Sequence, residues 1–293
     1  MVWLPKEVWS GRKLDGFAPG FAADAALRLF CTPILSQWRH PDQRVLAERA
    51  RYYLRNAISK RIATPVGDVA TYRLNPDGES RGSILLVHGW TSEASFMTAL
   101  AEAIRRAGFT ALLVDLPAHG LSAGRNTNLM QCAASIVAIG DALGPFDAIV
   151  SHSFGSMTAL VALEGAPPMP GVLKRIKGLV LIASPDKLSD ITRGFADHWR
   201  LSATGLRGLE QRLERIGRRP ISRFAVSRLL TVCDLPVLLV HARDDADVPF
   251  STSENIASQY ARAELSPYDG LGHRNVLFAS QVARRVVAYL RNL

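Results

Sequence analysis

Cysteine is scarce: the 293 residues contain three, Cys31, Cys132 and Cys233, far apart and without a Cys-x-x-Cys pair. That usage argues against a disulfide framework and a sulfur-ligated zinc site, and fits small buried hydrophobes in a reducing compartment. Long apolar runs are also missing. Nothing approaches the roughly 18 uninterrupted apolar residues that span a bilayer, and GFAADAALRLFCTPIL is broken by Asp24 and Arg28. The opening MVWLPKEVWSGRK has Pro5, Lys6 and Glu7 where a secretory signal would develop its apolar core, so a cytoplasmic location is expected. No two of the seven histidines stand at i, i+4, and none joins a Cys/His cluster, so neither metal nor other cofactor is expected.

Acidic residues are outnumbered, 26 to 35, giving a net charge of +9. The excess is local. Residues 1–60 and residues 186–231 each hold 10 basic and 5 acidic side chains, while the rest is balanced. Such segments suit a solvated helix face, or attraction of an anionic substrate or an anionic membrane surface. Nucleic acid is not an expected partner, because no recognition motif or aromatic–basic interleaving is present.

What is present is a rhythm. From about residue 62, apolar runs (SILLVHG, TALLVDLP, FDAIVSHS, GLVLIASP, PVLLVHARDD) alternate with amphipathic stretches. Short apolar runs bounded by turn signals suit strands buried on both faces, as in a parallel sheet. Phe96, Leu100, Ala103, Ile104 and Ala107 share one helical face, and Gly108 stands where that helix would stop. The repeated unit predicts a doubly wound α/β sheet. DVATYRL is expected as an antiparallel strand at its edge. Two regions break the rhythm. Residues 1–60 read as a helical extension, with PDQRVLAERARYYLRNAISKRI as its firmest helix. Residues 186–231 exceed a crossover helix by some 30 residues and read as a small helical cap, inserted in a core of residues 61–185 and 232–293.

Ligands meet an open parallel sheet at the carboxyl ends of its strands. Four of the five runs end there in polar or turn residues: His88-Gly89-Trp90, Asp115, Ser151-His152-Ser153 and Asp244-Asp245. In FDAIVSHSFGSMTALVAL a strand runs straight into Ser153 and then into a helix of small and apolar residues, the setting of a nucleophile elbow. A serine hydroxyl needs a base, and the base needs an orienting group. Downstream lie Asp244, Asp245 and Asp247, then His273 in YDGLGHRN. Asp245 is the expected acid, with Asp247 in reserve, and His273 the expected base. The backbone N–H groups of Trp90 and Phe154 are the expected donors to a developing oxyanion. His88, Asp115 and His119 read as loop-shaping groups, and His152 and His241 as packing residues.

Together these motifs resemble the α/β-hydrolase superfamily, particularly its small capped esterase and lysophospholipase-like members, over residues 62–293. VHGW is similar to the oxyanion loop, SHSFG to the elbow, VHARDDADVP to the acid loop and GLGH to the histidine loop. Ser151 and Ala242 depart from the glycines usual at their positions. The resemblance implies an α/β-hydrolase fold: a mostly parallel central sheet with helices on both faces and a small helical cap. It also implies hydrolysis of a carboxylic ester through a Ser153–His273–Asp245 acyl-enzyme mechanism. Phe195, Trp199 and Phe224 of the cap are expected to favour a hydrophobic acyl chain, so the expected partner is a small-molecule ester, lipid-like or anionic, with peripheral membrane contact. A thioesterase, C–C hydrolase, amidase or acyltransferase would use the same triad, and a non-catalytic binding protein the same fold.

Overall fold

A computed structural model of the protein describes residues 19–33 and 41–293. In chain order the helices are α1 (Pro19–Phe30), α2 (Pro41–Leu54), α3 (Thr98–Arg106), α4 (Leu129–Leu143), α5 (Phe154–Glu164), α6 (Leu188–Trp199), α7 (Ala203–Gly217), α8 (Val226–Cys233), α9 (Ser251–Gln259), α10 (Gly272–Asn275) and α11 (Ser280–Arg291). The strands are β1 (Ile58–Ile62), β2 (Val69–Leu74), β3 (Ser83–Val87), β4 (Thr110–Val114), β5 (Ala148–His152), β6 (Gly178–Ile182), β7 (Val237–Ala242) and β8 (Ala263–Tyr268). They form one sheet in the order β1-β2-β4-β3-β5-β6-β7-β8. The pairings β1–β2 and β2–β4 are antiparallel and the other five parallel.

The five apolar runs become β3 to β7, and β4 to β7 are buried along their whole length. Burial on both faces is what a run without polar alternation requires, and helices supply it. One face packs Leu85, Leu112, Ile149 and Leu181 against α4, α5 and α8; the other packs Leu86, Leu113, Val150 and Val240 against α3 and α11. Gly108 follows α3 with φ +93°, where an L-residue would be strained. Among the described residues no helix is long and apolar enough to cross a membrane.

Two expectations fail at the amino end of the sheet. The helix expected through Ile62 stops at Leu54, and ISKRI pairs as β1 outside β2. The edge strand is therefore β1, not DVATYRL, which lies second. β1 is almost wholly exposed and carries Lys60 and Arg61, charges that discourage further pairing at a free edge. Residues 1–18 and 34–40 of the expected extension lie outside the described residues.

Between β6 and β7 the chain makes α6, α7, a short 3₁₀ turn at Ile221–Arg223 and α8. Its two ends are tied together: Leu188 N–H donates to Phe224 O, Val226 N–H to Asp186 O, and Ser227 N–H to the Asp186 carboxylate. α8 buries Val226, Leu229 and Leu230 in the main core. α6 and α7 instead share a separate small core, Phe195, Trp199, Leu209 and Leu213, which Ala26 of α1 completes. α1 and α7 cross closely, since a Cβ on Gly208 would come 2.7 Å from that of Ala23. Asp24 and Arg212 pair beside this crossing at 2.5 Å.

Candidate active site

The backbone turns sharply at the end of β5. Ser153, between β5 and α5, has φ 51° and ψ −124°, a region that L-residues occupy only when their surroundings impose it. Here the surroundings do. Ser153 N–H donates to Ile182 O on β6. Gly155 packs so closely under β3 that a Cβ would lie 2.5 Å from His88 O and 2.6 Å from Val87 O. A Cβ on Gly89 would lie 2.9 Å from the Ser153 Cβ. Ser151, at the first position of the elbow, fits because its hydroxyl is paired: Oγ lies 3.2 Å from Ser156 Oγ and 3.3 Å from Val180 O.

The structure brings Ser153, His273 and Asp245 together. His273 Nδ1 is 2.8 Å from Asp245 Oδ2, and Nε2 is 3.1 Å from Ser153 Oγ. With the proton on Nδ1 facing the carboxylate, Nε2 keeps a lone pair for the serine hydroxyl, the arrangement a general base needs. The Asp245 side chain is fully buried. Its Oδ1 accepts from the amides of Asp247 and Val248. Burial alone would raise the Asp245 carboxyl; hydrogen bonds from His241 and His273 outweigh that and hold it well below the usual carboxylate range.

The three aspartates separate by role. Asp245 meets His273. Asp244 accepts from the amides of Leu271 and Gly272 at 3.2 and 3.1 Å, setting the loop that carries His273. Asp247 contributes its amide to Asp245.

His88 Nε2 accepts from Leu116 N–H at 3.0 Å, so its proton lies on Nδ1 and is donated to Gly89 O at 2.7 Å. The same Gly89 O accepts from Ser92 N–H at 3.3 Å, closing the turn that carries Trp90. Among the described residues neither the Trp90 nor the Phe154 amide has a hydrogen-bond acceptor, and the two side chains meet edge to face at 5.1 Å. Asp115 serves a turn: its carboxylate accepts from Tyr72 OH and the amides of Ala94 and Leu121, while burial pushes it up. His119 Nδ1 lies 2.9 Å from Pro117 O.

Two histidines read as packing residues do more. His152 Nε2 is 2.8 Å from the carbonyl oxygen of His273, which ties the elbow to the histidine loop. Burial, then the neighbouring His273, hold the His152 imidazole well below its ordinary value. His241 Nε2 lies 3.2 Å from Asp245 Oδ2. Its four-residue spacing from Asp245 was the only signal of this in the sequence.

Beside Trp90 and Phe154 lies a small apolar pocket, lined by Phe30, Trp90, Thr127, Asn128, Leu129, Phe154, Leu188 and Leu213. Phe195, Trp199 and Phe224, expected to line the site, are not among the described residues that line this pocket. Phe195 and Trp199 pack in the small core with α1, and Phe224 is buried beneath the Arg219 guanidinium at 4.3 Å. The most apolar side chains of the insertion hold it together, leaving Leu188 and Leu213 to face the pocket. Phe30 of α1 joins them. Among the described residues no three His, Cys, Asp or Glu side chains are grouped as a metal site would require.

A family model described as "Alpha/beta hydrolase family" matches residues 84–288. The chain belongs to the α/β-hydrolase family. Among solved structures it is similar to an esterase of Pyrococcus furiosus, with 19% identity, a TM-score of 0.61, and 81% of this chain and 92% of that one covered. It is also similar to Est1E of Butyrivibrio proteoclasticus, solved with ferulic acid bound (17%, 0.59, 80% and 96%). A third is the mouse alpha/beta hydrolase domain-containing protein 10 (17%, 0.58, 80% and 98%). At these identities the likeness is one of fold. No curated protein matches the chain. Family membership supports a hydrolase activity and a small-molecule substrate for this α/β hydrolase.

Proposed function

We propose that this α/β hydrolase cleaves carboxylic esters through an acyl-enzyme on Ser153. The observation that carries the reading is the continuous hydrogen-bonded line from Ser153 Oγ through His273 to Asp245. Ser153 Oγ attacks the ester carbonyl while His273 Nε2 takes the hydroxyl proton. Asp245 holds the imidazole and stabilises its charged form. The tetrahedral oxygen takes hydrogen bonds from the Trp90 and Phe154 amides, and the dipole of α5 points its positive end at the same place. The C–O bond then breaks, and His273 passes its proton to the leaving alcohol. Water adds to the acyl-enzyme by the same route, releasing the acid and restoring Ser153.

The apolar pocket beside Trp90 and Phe154 supports a small hydrophobic acyl group. The surface supports an anionic or lipid-borne ester: Arg193, Arg200, Arg207, Arg215, Arg218, Arg223 and Arg228 of the insertion are exposed. Binding to anionic vesicles that weakens with salt tests that part, and equal binding to neutral vesicles argues against it. The central claim is tested by fluorophosphonate labelling. Wild-type protein should label and Ser153→Ala should not, with both folded; labelling retained in the variant would remove Ser153 from the reaction.

A further inference from the structure

We propose that His241 is a positioning residue for the Ser153–His273–Asp245 line: a second imidazole that hydrogen-bonds the same carboxylate oxygen as His273 and thereby sets how basic His273 is. The inference rests on the ester-hydrolase reading for its functional meaning, and on geometry for its substance. His241 is the fifth residue of β7, wholly buried, four residues before Asp245. Its Nε2 faces two acceptors, Asp245 Oδ2 at 3.2 Å and Val248 O at 3.0 Å. A nitrogen between two acceptors must carry the proton. Nδ1, 2.6 Å from Ser253 Oγ at the start of α9, then accepts from the Ser253 hydroxyl. The chain of donation runs from Ser253 O–H to His241, and the His241 Nε2–H is shared between Val248 O at 3.0 Å and Asp245 Oδ2 at 3.2 Å.

Asp245 therefore accepts the Asp247 and Val248 amides on Oδ1 and His273 on Oδ2, and the same Oδ2 lies 3.2 Å from His241 Nε2, whose one hydrogen it shares with Val248 O. Two donors on one oxygen compete. The more negative charge His241 draws, the less remains to stabilise an imidazolium at His273. His241 thus pins the carboxylate in the plane that His273 needs and tempers the basicity it induces. A general base works best when its pKa lies near the working pH, so both effects bear on turnover.

Other charged or titratable groups face this pair. His152 packs on the His273 ring at 4.8 Å, and Asp244 and Arg274 flank the loop. Phe250 closes the far side of His241 edge to face at 5.8 Å, with the Arg243 guanidinium stacked behind it at 4.8 Å and paired with Asp269. The variants leave all of these in place.

The test is NMR titration of the His273 imidazole in full-length wild type, His241→Leu, His241→Gln and Ser253→Ala, beside the pH profile of fluorophosphonate labelling. Leu removes the donor and Gln keeps one near Nε2. His241→Leu should raise the His273 titration midpoint by about half a pH unit or more, move the acid limb of labelling up with it, and slow labelling roughly tenfold. Gln should restore the wild-type midpoint, and Ser253→Ala should shift it in the Leu direction by less. Should the Leu variant not fold, Ser253→Ala carries the same test without touching the carboxylate. An unchanged His273 midpoint in the folded variants overturns the proposal. The titration reads His273 without turnover, so wild-type protein that fails to label would count against the ester-hydrolase reading alone.

Discussion

A methyl group on Gly155 would sit 2.5 Å from the carbonyl oxygen of His88. The contact joins the first turn of α5 to the end of β3, and so sets the Ser153 hydroxyl against the loop that carries the Trp90 amide. Both neighbours are backbone atoms of central elements, so neither yields cheaply. Gly155→Ala should destabilise the protein by about 1–3 kcal/mol, the usual cost of overpacking a close-packed core. Labelling of Ser153 should fall by at least tenfold even where the variant is folded, because the two amides no longer converge. Thermal unfolding and labelling kinetics on the same sample check both halves. Wild-type labelling with reduced stability would show that the elbow tolerates a shift at this contact.

Most of the site was legible in the sequence because its parts are local. The strand–Ser153–helix turn needs an apolar run, a serine and a glycine within a few residues, and Asp245 and His273 each follow a strand in a turn-rich loop. Roles that depend on distant partners were not legible. His241 reads as one more apolar-strand residue until Asp245 folds back onto it, and Asp244 meets the His273 loop 28 residues away. ISKRI was hidden by its continuity with a helical pattern; only pairing with β2 makes it a strand. The large aromatics of the insertion misled because apolar side chains serve a small core as readily as a ligand, and this core also needs α1, about 180 residues upstream of α7.

That placement of α1 carries a prediction about substrate size. Phe30 and Leu213 line the pocket from α1 and α7, helices far apart in sequence that pack on each other. The pocket is small, with Phe30 and Leu213 in its wall, which favours a short acyl group over a long chain. In a p-nitrophenyl ester series the wild type should favour about two to four acyl carbons. Each methylene in an apolar pocket is worth about 1–3 kcal/mol of discrimination. Leu213→Ala and Phe30→Ala should therefore raise kcat/KM for six- to eight-carbon esters relative to acetate by roughly tenfold or more. An unchanged ranking in both variants would place the acyl group elsewhere.

The last prediction concerns acid stability on the opposite side of the sheet, where α2 meets α3. Glu102 on α3 accepts from Arg105 at 2.8 Å, from Arg106 at 2.5 Å and from the Tyr53 hydroxyl. Hydrogen bonding from Arg105 above all, against some desolvation and with help from Tyr53 and Arg106, pulls its carboxyl down to about 2. In the unfolded chain a glutamate titrates near its ordinary value of about 4.3. A carboxyl whose folded pKa is depressed contributes stability above the unfolded pKa and loses it as pH falls toward the folded one. The contribution should be complete above about pH 5 and shrink between about pH 4.3 and pH 2. Glu102 is partly exposed and its partners are surface arginines, so screening leaves about 1 kcal/mol of it. Glu102→Gln should lower stability by that amount at pH 7 and by almost nothing near pH 2, flattening the acid limb of the denaturation midpoint against pH. Parallel curves for wild type and variant across that range would mean that the Glu102 carboxylate and its partners Arg105, Tyr53 and Arg106 carry no proton-linked stability.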